Sequence, residues 1–171
     1  MARATASATL RHAQGAPDFA LARALFEEYA AWLNVDLCFQ GFAEELATLP
    51  GAYAPPRGRL LLAGESGGAF GCIALRPLDA APGNHGNANA IAVGEVKRLY
   101  VQPAQQNGGW GLRLAEALIA EARTIGYREL KLDTLARMSA ARRLYARLGF
   151  TECAPYYANP IEDVVYMACL L

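Results

Sequence analysis

The spacing of apolar residues changes along the chain, and each change predicts an element. Phe19, Ala22, Phe26, Ala30 and Leu33 recur three or four apart, which predicts a helix over residues 18–33. That helix opens near Pro17, with Asp18 placed to cap it or complement its dipole. Residues 8–13 read as a short first strand, and 41–49 as a second short helix stopped by Pro50-Gly51. Residues 59–63 and 69–76 are apolar runs around Glu65-Ser66-Gly67-Gly68, the signature of a hairpin. Turn chemistry fills 77–89, which predicts a long exposed loop. A strand at 90–101 follows, then a helix at 109–125 with Leu112, Ala115, Ile119 and Ala122 on its apolar side. A strand at 129–134, a helix from Met138, and strands near 150–153 and 164–169 complete the pattern. The order β-αα-β-β-β-α-β-α-β-β predicts a mixed sheet with helices on both faces.

Composition narrows the class. The chain has 171 residues, a length suited to one domain over 1–171 with a full core. Hydrophobic residues make up 54% and charged ones 19%, which excludes a disordered chain. Sixteen basic and sixteen acidic residues cancel, so no overall field draws in nucleic acid or an anionic membrane. No apolar run approaches the roughly 20 residues of a membrane span, and the N-terminus lacks the apolar centre of a signal peptide. Cytoplasm is the expected compartment. Cys38, Cys72, Cys153 and Cys169 are scattered without metal-ligand spacing, as free thiols in a reducing compartment would be. His12 and His85 each stand alone and read as surface residues; no metal site is expected.

The chemistry concentrates between Glu95 and Leu118. A β-branched and aromatic strand, Val96 to Val101, runs into a turn with Gly108, Gly109 and Gly111, which opens onto the 109–125 helix. Such a turn gathers unpaired N–H groups at the positive end of a helix and predicts an anion site, a phosphate above all. A nucleotide P-loop would need Lys-Ser or Lys-Thr after these glycines, and none follows. A dinucleotide fingerprint begun at Gly109 and Gly111 would need glycine where Leu114 stands. What remains is Gln106-Asn107-Gly108-Gly109-Trp110-Gly111, a Q-x-x-G-x-G turn preceded by Leu99-Tyr100-Val101-Gln102-Pro103.

That combination resembles the acetyl-CoA pyrophosphate loop of the GNAT family of N-acetyltransferases. A second block agrees: Ala141, Leu144, Tyr145, Gly149 and Phe150 resemble the family's N-x-x-A-x-x-L-Y-x-x-x-G-F, with Met138 at the asparagine position. The resemblance implies a GNAT-like α/β (α+β) fold, a mostly antiparallel sheet of six to seven strands flanked by helices. It implies acetyl-CoA as donor and a small-molecule amine as acceptor, joined by direct attack in a ternary complex. Leu99, Tyr100, Val101, Gln106, Asn107, Gly108, Gly109, Trp110, Gly111, Leu112, Thr134, Ala141, Arg142 and Arg147 are the implied cofactor contacts. From spacing alone Tyr145 reads as a core tyrosine on an amphipathic helix; the resemblance makes it the family's acid for the departing thiolate. Glu95 stands where many members carry a base acting through water; alternatively it is a strand glutamate paired with Lys97. Strict alternation puts Glu95, Lys97, Leu99 and Val101 on one face and Val96, Arg98 and Tyr100 on the other, unless a bulge intervenes.

The acceptor site implied by the resemblance draws on 34–42 and 155–160, naming Asp36, Phe39, Gln40, Tyr156 and Tyr157. Asp36, Glu44 or Glu45 would attract an ammonium. Two rival readings are an acyl-CoA-binding sensor without catalysis and a toxin-like enzyme acting on aminoacyl-tRNA, which would need a basic face. Oligomeric state is open, with a homodimer compatible.

Overall fold

A computed structural model describes residues 7–78 and 92–171. Most of the 77–89 loop, His85 included, lies outside the described residues. The elements are β1 (Thr9–His12), α1 (Gly15–Leu33), α2 (Phe42–Thr48), β2 (Arg59–Gly64), β3 (Gly71–Pro77), β4 (Val93–Val101), α3 (Trp110–Ile125), β5 (Glu129–Leu135), α4 (Ser139–Arg147), β6 (Thr151–Glu152) and β7 (Val164–Leu170). They form one seven-stranded sheet in the order β1-β2-β3-β4-β5-β7-β6. Every pairing is antiparallel except β4 with β5. No helix among the described residues is long and apolar enough to cross a membrane.

The central strands are apolar on both sides because both sides are covered. Leu61, Ala63, Ile73, Leu75, Leu130 and Leu132 meet Leu114, Leu118 and Ala122 of α3. The alternate residues Leu60, Leu62, Cys72 and Ala74 meet Ala22, Leu25 and Phe26 of α1. The first helix starts three residues before the expected Asp18. Pro17 falls in its first turn, where a missing N–H breaks no helical bond. Asp18 then reaches back to accept from the Gln14 N–H at 3.0 Å and from Arg11 at 3.0 Å. Residues 38–40 add a short 3-10 turn ahead of α2 that the pattern did not announce.

Two local features position the site. The first is a bulge: Cys72 faces Tyr100 and Ala74 faces Lys97, so Arg98 and Leu99 both stand across from Ile73. Arg98 takes φ 59°, and the Cys72 thiol donates to its carbonyl at 3.2 Å. The extra residue reverses the facing expected from alternation. Val96, Leu99 and Val101 pack toward α3 and α4, whereas Tyr100 joins the α1 side. The second feature is a short pairing. β4 and β5 are bonded only over 93–95 and 129–131; beyond Glu95 the two strands part and a cleft opens between them.

Candidate active site

The cleft measures about 680 Å³, the size of a small-molecule or cofactor site. One wall is the freed edge of β4, Leu99 to Val101; the floor is Gln105 to Asn107 with Gly109 to Leu112. Ala141, Leu144 and Arg147 of α4 form the opposite wall. Local sequence explains the floor. Asn107 and Gly109 take φ 70° and 76°, so the chain doubles back and α3 starts with its amides directed at the opening. The first-turn N–H groups of Trp110, Gly111 and Leu112 have no carbonyl one helical turn back to bond. The Gln106 side chain donates to the Val101 carbonyl at 2.9 Å and ties the turn to β4. Trp110 packs edge-on against Phe70, with Arg113 over its ring at 4.8 Å.

At the inner end a second cavity of about 100 Å³ shares Tyr29, Leu33, Leu99, Met138 and Ala141 with the cleft, and Tyr145 lines it. Tyr145 is fixed by the way α4 stops. The Phe150 N–H bonds the Tyr145 carbonyl and the Gly149 N–H bonds that of Ala146, with Gly149 at φ 91°. This is a Schellman stop, and the rings of Tyr145 and Phe150 make its apolar contact at 5.7 Å. Among the described residues nothing hydrogen-bonds the Tyr145 hydroxyl. Burial, then the Tyr29 hydroxyl and Asp133, push that phenol well above its usual range. It keeps its proton.

The inner cavity is polar on the α1–α2 side. Arg98 grips Glu45 with two nitrogens, at 2.9 and 2.6 Å, and donates with its third to Gln40 at 3.2 Å. Burial alone would raise the Glu45 carboxyl, but Arg98 and the Tyr53 hydroxyl hold it below the ordinary range. Lys97 Nζ lies 3.3 Å from Asp133, 3.3 Å from Gln40 and 3.7 Å from Glu95. Glu95 is 1% exposed; Arg76 occupies one oxygen at 2.6 Å and the Tyr156 hydroxyl the other at 3.0 Å. Tyr157 accepts from Gln40 at 3.4 Å and from Asn159 at 2.8 Å.

Residues 21–150 match the acetyltransferase (GNAT) family. The chain belongs to that family. It is 40% identical over 144 residues to an uncharacterised N-acetyltransferase of Schizosaccharomyces pombe, covering 84% of this chain and 82% of that protein. An IAA acetyltransferase of Azospirillum brasilense is 36% identical over 103 residues, 60% of this chain and 61% of that protein. Among solved structures, an acetyltransferase from Streptococcus agalactiae shares the fold with a TM-score of 0.73 at 18% identity, over 96% of this chain and 98% of its own. A Salmonella typhimurium protein solved with its cofactor acetyl-CoA reaches 0.68 at 24% identity, over 96% and 94%.

In this GNAT acetyltransferase the expected donor residues largely converge. Leu99, Tyr100, Val101, Gln106, Asn107, Gly109, Trp110, Gly111, Leu112, Ala141 and Arg147 all line the cleft. Thr134 lines the inner cavity, and its hydroxyl faces Met138 Sδ at 3.8 Å. Gly108 stands back from the cleft, where a Cβ would meet the Gln105 carbonyl and the Trp110 ring at 3.2 Å. Arg142 is not among the lining residues; it runs to Glu152 at 2.6 Å and to the Ala136 carbonyl. Arg137 takes the place at the rim. Of the residues expected for the acceptor, Gln40 lines the inner cavity, while Asp36 is exposed and caps the Cys38 N–H at 2.9 Å. Tyr156 and Tyr157 stand behind Glu95 and Asp133. The Phe39 side chain lies outside the described residues. Sequence reasoning missed the α1 wall, Tyr29, Trp32 and Leu33, whose i, i+3, i+4 spacing reads as ordinary amphipathicity. It also missed Asp133 and Lys97, whose strand positions carry no motif.

Proposed function

We propose that this chain transfers an acetyl group from acetyl-CoA to the amine of a small acceptor, by direct attack with both bound. The observation that carries the reading is the cleft between the parted strands, with free helix-start amides at one end and an unpartnered tyrosine hydroxyl at the other. The residues fit the donor. Amides at 110–112 suit a pyrophosphate, Arg137 and Arg147 suit phosphate oxygens at the rim, and Leu99, Met138, Ala141 and Leu144 suit a slim chain. Acetyl-CoA bound there supplies the acetyl thioester. The freed main chain of Leu99 to Val101 lies where a polarising N–H is needed. Tyr145 holds a proton at its hydroxyl for the departing sulfur. Glu95 acts at one remove, since both its oxygens are engaged and Lys97 stands between it and the cavity.

The test uses the two tryptophans of the chain, Trp32 and Trp110, both of which line the cleft. Acetyl-CoA should change their emission saturably, and ATP should not. Thiol release should then follow with members of an amine panel and fall in Tyr145→Phe. An equal response to ATP would remove the donor reading. Binding without thiol release for any amine would favour the sensor alternative, which Met138 at the asparagine position supports.

A further inference from the structure

The inner cavity has one carboxylate on its lining, Asp133, and that carboxylate has acceptor capacity to spare. Arg98 and Lys97 also line it, so its two cations must be weighed first. All three Arg98 nitrogens are already bonded, two to Glu45 and one to Gln40. Lys97 has three donors and three acceptors around it, in Gln40, Asp133 and Glu95. Arg98 keeps two of its five N–H groups, but its charge is matched by the two-pronged pair with Glu45, and that of Lys97 by Asp133 and Glu95. Asp133 differs. Among the described residues it accepts from Lys97 alone, at Oδ1, which leaves about three of its roughly four lone-pair sites. It shares the lining with Tyr145, and apolar Leu33, Leu37, Leu135 and Ile161 surround the rest. Such a cavity suits a slim alkyl group ending in N–H donors. Lys97 also has somewhere to go: Glu95 Oε1 lies only 0.4 Å farther from Nζ than Asp133 Oδ1 (3.7 against 3.3 Å).

We infer that Asp133 binds the acceptor's ammonium beside Tyr145, and that Lys97 yields this carboxylate and turns to Glu95. The acceptor is then an alkylammonium compound with its charged end innermost. Lys97 holds the site in its absence, which keeps Asp133 from being buried unpaired. The inference rests on the transferase reading, because it needs the donor's reactive end at the same cavity.

The experiment is thermal unfolding of the full chain saturated with coenzyme A, titrated with n-propylammonium, propionate or n-propanol. Propylammonium at ten times its Kd should raise the midpoint by about 3 °C, while propionate and propanol should leave it unchanged. Asp133→Asn should abolish the shift, Glu65→Gln on the exposed hairpin should keep it, and Lys97→Met should tighten propylammonium binding by removing its competitor. Should Asp133→Asn fail to fold, the Lys97→Met result decides, weaker binding there overturning the inference. An equal shift with propionate, a shift retained in Asp133→Asn, or no shift with propylammonium also overturns it. If coenzyme A binds and propylammonium does not, this inference falls alone. If coenzyme A itself fails to bind, the transferase reading falls and takes this one with it.

Discussion

The two ends of the site are built from different materials. The donor cleft is made of main chain, glycine and apolar side chains, with charge only at its rim in Arg137 and Arg147. The end proposed for the acceptor is a largely buried network of three carboxylates, Glu45, Glu95 and Asp133, and three cations, Arg76, Lys97 and Arg98, in which the Arg98–Glu45 pair joins the rest through Gln40. A backbone anion site depends on one turn and the helix it starts, so a change there is felt locally. The network is collectively balanced, so removing one member leaves another buried and unpaired. The donor end should therefore tolerate substitutions with loss of binding, whereas the acceptor end should respond with loss of stability.

The strongest test of that contrast is Arg98→Ala. Arg98 and Glu45 side chains are 3% and 12% exposed, and removing one partner of such a pair costs about 3–5 kcal/mol. Denaturant unfolding should show that loss, and adding Glu45→Ala should recover part of it. A loss below about 1 kcal/mol, the value of an exposed pair, would break the comparison. Tyr145→Phe comes next. It keeps the ring against Phe150 and removes only the hydroxyl, so unfolding and acetyl-CoA affinity should hold while kcat falls about 100-fold, the lower end for a general acid.

The pH dependence sharpens the same point. The Glu45 carboxyl is held below its ordinary 4.5 in the folded chain, against burial, by Arg98 and Tyr53. A depressed folded pKa means its stabilisation is complete above about 4.5 and is lost as pH falls through the folded value. The stability gap between wild type and Glu45→Gln should accordingly narrow on acidification below pH 4.5. A gap constant across that window would show that folding leaves the Glu45 carboxyl unshifted, and a gap that widened on acidification would show it raised.

The same difference governs what the sequence reveals. The donor end is legible because its residues are contiguous, 99–112 and 138–147, and because glycine, proline and helix periodicity report backbone geometry directly. Even the Tyr145, Gly149 and Phe150 spacing has a local cause in the Schellman stop. The order of elements along the chain and both helix faces follow from periodicity for similar reasons. The acceptor end is illegible because its partners lie far apart in sequence, Gln40 and Tyr157 by 117 positions. The bulge gives no sign either. It is carried by an arginine at φ 59°, where glycine or asparagine would have announced it. Without the bulge, alternation sends Leu99 and Val101 to the same face as Glu95, and the cleft wall is lost.

The smallest effects separate two glycines of one turn. Gly109 sits at φ 76° with nothing within 4 Å of where a Cβ would stand, so Gly109→Ala meets no neighbour and costs only backbone strain, about 1 kcal/mol. Gly111 lies inside the first turn of α3. A methyl there sits 3.4 Å from Leu144 Cδ1, ordinary contact, across the cleft between α3 and α4. Alanine is also the better helix former by about 1 kcal/mol. Gly111→Ala should therefore unfold no earlier than wild type yet bind acetyl-CoA more weakly, while Gly109→Ala should unfold earlier. Thermal midpoints and tryptophan titrations on the two variants read stability and binding separately. If Gly111→Ala bound acetyl-CoA as wild type does, the donor's path would not run between α3 and α4 at this point, and the cleft wall nearest Leu144 would be structural only.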